Sequence, residues 1–273
     1  MEKFLQRNPK RPSTAAIHRL RTNARRLETT LGTLSLDSKA RLKRLLGELA
    51  VVRKRAGKVR DMDVLTADVL TIKQQGEQDC LVQLLEHLGA ERKRFARKLR
   101  RRIDTRNPQM RQNLKRSARR LLKRLKAAGK HPVDAEAIQA AVAKSLSLSN
   151  GLMEPQRLSR KNLHDYRLRV KELRNVLMLS DHPDDSKFLV KLGEVKDAIG
   201  DWHDWETLVT IAKDVLQHGP TCKLLKHLQD TSDSKYERAL KLTEHLRQDY
   251  VHAKSSSKLS TPVVQAVSAI VKA

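Results

Sequence analysis

Apolar residues recur at spacings of three and four through almost the whole chain, and no stretch alternates as a half-buried strand would. That period is helical, so the fold class expected is all-α. The eight prolines punctuate the pattern. Pro9 and Pro12 precede the first periodic run, and Pro108, Pro132, Pro155, Pro183, Pro220 and Pro262 fall between later ones. An interior proline costs a helix about 3 kcal/mol, so each is read as a break. Asn107-Pro108 and Thr261-Pro262 have the form of an N-cap followed by proline at the first helical position. The helices expected are Ser13–Leu31, Ser38–Ala56, Asp61–Gln74, Asp79–Asp104, Pro108–Ala128 and a small-residue helix Asp134–Leu146. After a turn at SLSNG come Arg157–Ser180, Asp184–Ile199, Asp201–Gln217 and Thr221–Ala253, then a linker and a short apolar helix, Pro262–Val271.

One of these helices carries an unusual row of cations. In HDYRLRVKELRNVL, His164, Arg167, Lys171 and Arg174 recur at spacings of three and four. At about 100° per residue they fit an arc of roughly 80°. Val170, Leu173 and Leu177 lie on the arc beside it, so the cations border the buried face instead of opposing it. Like charges at i,i+4, here Arg167 and Lys171, cost a helix a few tenths of a kcal/mol, and a half-buried cation without a partner costs more. A bound polyanion would offset both. From i to i+7 the row spans about 10 Å, enough to meet consecutive phosphates of an extended chain.

The row occurs twice. HRLRTNARRLETTL, His18 to Leu31, lays His18 on His164, Arg21 on Arg167, Arg25 on Lys171 and Leu27 on Leu173. About forty residues later each half has a second match, GKVRDMDVL from Gly57 and GDWHDWETL from Gly200. Gly57, Asp61 and Leu65 fall on Gly200, Asp204 and Leu208, and one three-residue indel separates the blocks. Two matches in the same order indicate an internal duplication. Glu28 stands where the second half has Arg174, and His203 stands where the first has Arg60.

Charge changes the picture next. Lys and Arg number 57 against 31 Asp and Glu, a formal net charge of +26 over 273 residues. Such a field repels itself and calls for an anionic partner. Two very basic helices add to it, Glu91–Asp104 and Arg111–Lys126; in the second, Arg111, Lys115, Arg119, Lys123 and Lys126 run beside an apolar stripe. The two cysteines, Cys80 and Cys222, lie far apart without a CxxC pattern and read as buried thiols of a reduced cytoplasmic protein. The N-terminal residues have no apolar core of a signal peptide, and no apolar run of about 18 residues suggests a membrane span.

At these residues the sequence resembles the CHAD domain, the conserved histidine α-helical domain. The resemblance rests on HxxRxxxR at His18–Arg25, HxxRxxxKxxR at His164–Arg174 and the block Val59–Leu65. It covers about residues 10 to 255, with a first repeat at about 10–130, a second at about 155–253, and a linker and short helix over 256–273. It implies two pseudo-symmetric antiparallel four-helix bundles with a basic cavity between them. It also implies non-enzymatic binding of inorganic polyphosphate and association with polyphosphate granules in the cytoplasm. Carried over by position, the binding surface would comprise His18, Arg21, Arg25, Arg60, His164, Arg167, Lys171, Arg174 and His203, with Lys115 and Arg119 on the basic helix beyond.

Other chemistry finds less support. His18 and His164 have no His or Cys at ligand spacing, HxxxH and HExxH are absent, and an arginine at +3 repels a cation, so no metal or cofactor is expected. No nucleophile–base signature, phosphate loop or paired-carboxylate motif is visible. Asp61 and Asp204 read as helix N-terminal residues or as orienting partners of a nearby arginine. Trp202, Trp205 and Met62 read as core. The main rival is a general polyanion or nucleic-acid binder, since both ligands release counterions. Two Trp, three Tyr and three Phe offer few stacking platforms, and no DNA-reading motif is recognisable. The terminal TPVVQAVSAIVKA has one lysine, too little for an anionic membrane surface.

Overall fold

Continuous apolar stripes carry the helices further than the glycines and prolines suggest. The computed structural model describes residues 2–33, 40–72, 78–128, 135–178, 187–217 and 221–250. It comprises α1 (Glu2–Arg7), α2 (Thr14–Thr33), α3 (Ala40–Leu70), α4 (Gln78–Ala128), α5 (Ala135–Asn150), a 3-10 turn (Gly151–Met153), α6 (Leu163–Leu177), α7 (Lys187–Val215) and α8 (Lys223–Tyr250). The described residues include no strand, so the all-α expectation holds.

Three expected breaks are absent. The runs on either side of Gly57 are one helix, α3, and those on either side of Gly200 are one helix, α7. On α3 the buried residues Leu49, Val52, Ala56, Val59, Met62 and Leu65 keep their three-and-four spacing past Gly57. On α7 Leu192, Val195, Ile199, Trp202, Trp205 and Leu208 do the same past Gly200. A helical glycine costs about 1 kcal/mol, which this packing outweighs. Pro108 lies inside α4 instead of opening a helix. It is exposed, while Leu99, Ile103 and Met110 stay buried on the opposite side, so core packing carries the helix past a residue that breaks its hydrogen-bond ladder.

Smaller differences follow the same logic. SLSN completes α5, with Ser145 and Ser149 buried, instead of forming a turn. Residues 157–162 precede α6, where Asn162 Oδ1 accepts the Ser159 N–H at 2.8 Å and its Nδ2 donates to the Arg157 carbonyl at 2.9 Å. The helix α1 was not expected; it seats Leu5, fully buried, and its end is held by Asn8 donating to Asp104 Oδ1 at 2.5 Å. Ser13 caps α2, accepting the Ala16 N–H at 3.3 Å. The linker and the helix Pro262–Val271 lie outside the described residues.

The chain forms two compact units: residues 1–135 with 212–224, and residues 136–211 with 225–273. The segment 212–224 thus belongs to the first unit, between two stretches of the second. In that unit α2, α3 and α4 enclose Ile17, Leu20, Leu45, Leu49, Val59, Leu99 and Ile103, with Leu5 of α1 beneath. In the second, α6, α7 and α8 enclose Leu163, Tyr166, Val170, Leu173, Phe188, Leu192, Ile199, Trp202 and Leu246. Trp202, Trp205 and Met62 are buried, as expected.

Candidate functional site: two arginine–glycine rows

In the second unit, α6 puts His164, Arg167, Lys171 and Arg174 on one half-buried edge, beside buried Leu163, Tyr166, Val170 and Leu173. The neighbouring α7 meets this edge with glycines. A Cβ on Gly200 would stand 2.5 Å from Arg167 Nη2 and 3.0 Å from its Cζ, and one on Gly193 would stand 3.5 Å from Arg174 Nε. The two arginines are seven residues apart on α6, and the two glycines are seven apart on α7. The helices thus carry two guanidinium groups over two bare stretches of backbone, about two turns apart.

The groups are held from one side. Arg167 Nε donates to the Lys196 carbonyl at 3.1 Å, and Arg174 Nη1 to Met178 Sδ at 3.0 Å. Among the described residues neither arginine pairs with a carboxylate. The Arg174 Nε is buried without an acceptor, as is His164 Nδ1. The His164 ring lies 4.4 Å from that of His203, centroid to centroid, and His203 Nδ1 is 3.8 Å from Asp204 Oδ1. Burial chiefly, then the neighbouring His203 and Arg167, hold the His164 ring below its ordinary pKa. It is therefore neutral near pH 7, with a lone pair or one N–H to offer.

In the first unit, α2 carries His18, Arg21 and Arg25, of which Arg21 reaches α3. Arg21 Cζ lies 3.9 Å from a Cβ placed on Gly57, and its Nη1 donates to Asp61 Oδ1 at 3.3 Å. Asp61 and Asp204 are mid-helix, so the N-terminal role expected for them is overturned; Asp61 is instead the partner of a nearby arginine. His18 is exposed, its Nε2 3.5 Å from Thr22 Oγ1. Arg60 is half-buried, one turn beyond Gly57 as His203 is beyond Gly200. Where α6 has Arg174, Glu28 of α2 takes Arg53 of α3 at 2.9 Å. This row is the more neutralised of the two.

The structure brings His164, Arg167, Arg174 and His203 together with Gly193 and Gly200, and brings Arg21 together with Gly57 and Asp61. Lys115 and Arg119 stand exposed on the later half of α4, on a different helix from either row. Two features escaped the sequence reading. Gly193 lies between the repeat blocks, 29 residues after His164 as Gly47 is 29 after His18; that match and the seven-residue step back from Gly200 are its signals. The second is a cleft of about 640 Å³ between α3 and α4, lined by Arg55, Lys58, Lys98, Arg101 and Arg102 around Phe95. None of its five cations pairs with a carboxylate among the described residues.

Comparison with family models adds one finding: the model described as CHAD domain matches residues 2–213. The chain belongs to the CHAD domain family. The match covers both rows of this CHAD domain protein and both glycine blocks, and it begins at α1, ahead of the repeat. Comparison with curated proteins and with solved structures finds no match.

Proposed function

We propose that this protein binds inorganic polyphosphate through the two arginine–glycine rows, without catalysing a reaction on it and without a metal or cofactor. The observation that carries the reading is Arg167. Its guanidinium lies over Gly200, anchored at Nε by a carbonyl, with no carboxylate partner among the described residues. Two turns on, Arg174 also lies beside a glycine, Gly193, with its Nη1 donating to Met178 Sδ. A guanidinium held this way has N–H groups left for phosphate oxygens, which it takes in bidentate fashion, and Lys171 adds a point charge on the same edge. The family is consistent with polyphosphate, and association with polyphosphate granules in the cytoplasm is part of the proposal. So is the finer architecture, two pseudo-symmetric four-helix bundles; the common register of Arg21 on Gly57 and Arg167 on Gly200 supports it. Among the described residues no helix is long and apolar enough to cross a membrane.

The rival, a general polyanion or nucleic-acid binder, is separated by competition. Labelled polyphosphate is bound to the protein and displaced by unlabelled polyphosphate, single-stranded DNA or duplex DNA of equal charge, at ~0.15 M and ~0.5 M salt, a range that strips contacts resting on phosphate charge alone. Polyphosphate that stays bound at the higher salt and resists DNA supports the proposal. DNA that competes at equal charge, with both ligands lost together, replaces it with the rival.

A further inference from the structure

Cys80 and Cys222 are 142 residues apart in the chain, yet their sulfurs lie 3.3 Å from one another, and each residue is 1 % exposed. Cys80 is in the first turn of α4; Cys222 stands in the connection just before α8. Both belong to the first unit, Cys222 through the segment 212–224 that the chain inserts there between two stretches of the second. Among the described residues no three His, Cys, Asp or Glu side chains gather as metal ligands, so the pair is not part of a thiolate metal site there. Two cysteines meeting in an apolar interior need closer approach by only about 1.3 Å to reach a disulfide bond length of about 2.05 Å.

We propose that Cys80 and Cys222 are a redox-active dithiol, which a peroxide closes to a disulfide and a dithiol reductant reopens, and that the bond fastens the segment 212–224 to α4. The chemistry balances in two steps. One thiolate attacks the peroxide O–O bond, giving a sulfenic acid and, for hydrogen peroxide, one water. The second thiol displaces the hydroxyl from the sulfenic sulfur, forming the S–S bond and releasing a second water. Both electrons go to the peroxide. Cys222 lies outside regular helix, so the reagent's entry requires a connection to open and not a helix to unravel. Closure ties a loop of more than a hundred residues, which narrows the unfolded ensemble and raises the resistance of the oxidised chain to heat.

The test is made on the full chain, folded, with hydrogen peroxide. The expected result is a monomer lighter by ~2 Da that migrates faster on a non-reducing gel, yields one proteolytic fragment joining Cys80 to Cys222, and reverts with dithiothreitol. Its melting temperature rises by about 5 °C or more. Cys80→Ser and Cys222→Ser each abolish the mass loss and the shift; the wild-type mass measurement stands even if either variant folds poorly. Oxygen added to one cysteine while the other stays reduced, a cross-linked dimer, or a disulfide that forms only in denaturant overturns the proposal. So does a disulfide that leaves the melting temperature unchanged. None of these readouts involves polyphosphate.

Discussion

Replacing Gly200 by alanine sets a backbone preference against the position of one guanidinium. The new Cβ stands 2.5 Å from Arg167 Nη2, 3.0 Å from Cζ and 3.1 Å from Nε, so the guanidinium must leave. The atoms it meets are the far end of a flexible side chain, and the backbone of α7 is not strained. Leaving breaks the bond from Arg167 Nε to the Lys196 carbonyl, a loss of about 1.5 kcal/mol for a charged donor. Alanine in mid-helix returns up to about 1 kcal/mol. Stability therefore changes by less than about 1 kcal/mol, within reach of a urea melt followed by circular dichroism. Polyphosphate affinity, measured by titration at ~0.15 M salt, falls about tenfold or more, because one charge-assisted contact is worth about 1.5–3 kcal/mol and 1.4 kcal/mol is tenfold. Gly57→Ala is the internal control: Arg21 Cζ is 3.9 Å away, an ordinary contact, so this variant keeps its affinity and gains stability from the same helix preference. If Gly200→Ala keeps wild-type affinity while Arg167→Ala loses it, the glycine does not position the arginine. A stability loss above about 3 kcal/mol would mean the glycine serves helix packing instead.

Arg167→Glu weakens polyphosphate binding more than Arg21→Glu, because Arg21 already faces Asp61 at 3.3 Å while Arg167 faces a carbonyl. The pair together loses more than Lys226→Glu with Arg238→Glu on α8, and equal losses would mean diffuse charge does the binding. His164 titrates below its ordinary 6.5, with His203, Arg167, Asp165 and Asp204 around it. Affinity therefore rises as pH falls below about 6.5, with protons taken up on binding, and His164→Gln flattens that slope in calorimetry across buffers. Stability runs the other way. The unfolded chain takes this proton first, so the contribution is full above 6.5 and declines as pH drops toward the folded value. Arg247, 7 % exposed, donates to the Pro155 and Gln156 carbonyls at 2.8 and 3.1 Å and lies 4.8 Å from the Tyr166 ring. Arg247→Ala costs about 3 kcal/mol in a urea melt, two charged hydrogen bonds at the low end of their range.

The rows were legible because each lies on one helix, and a helix converts spacing along the chain into position around an axis. His164, Arg167 and Arg174 could be placed on one edge from numbers alone, and so could the apolar face beside them. The repeat then showed that Gly57 and Gly200 matter, but not how. Read locally, a glycine followed by an aspartate marks a helix boundary, and α3 and α7 were each cut in two there. The apolar spacing ran uninterrupted across both glycines and was the better guide, since burying a stripe through seven turns outweighs about 1 kcal/mol of local preference. Pro108 teaches the same with a larger local term. What spacing could not supply was contact between elements. Gly193 against Arg174, Glu28 against Arg53, the five cations around Phe95 and the meeting of Cys80 with Cys222 all join positions on different elements of the fold. Gly200 acquires its meaning only there: it stands in mid-helix, at a cost to the helix, because Arg167 from the helix alongside lies where a side chain would be.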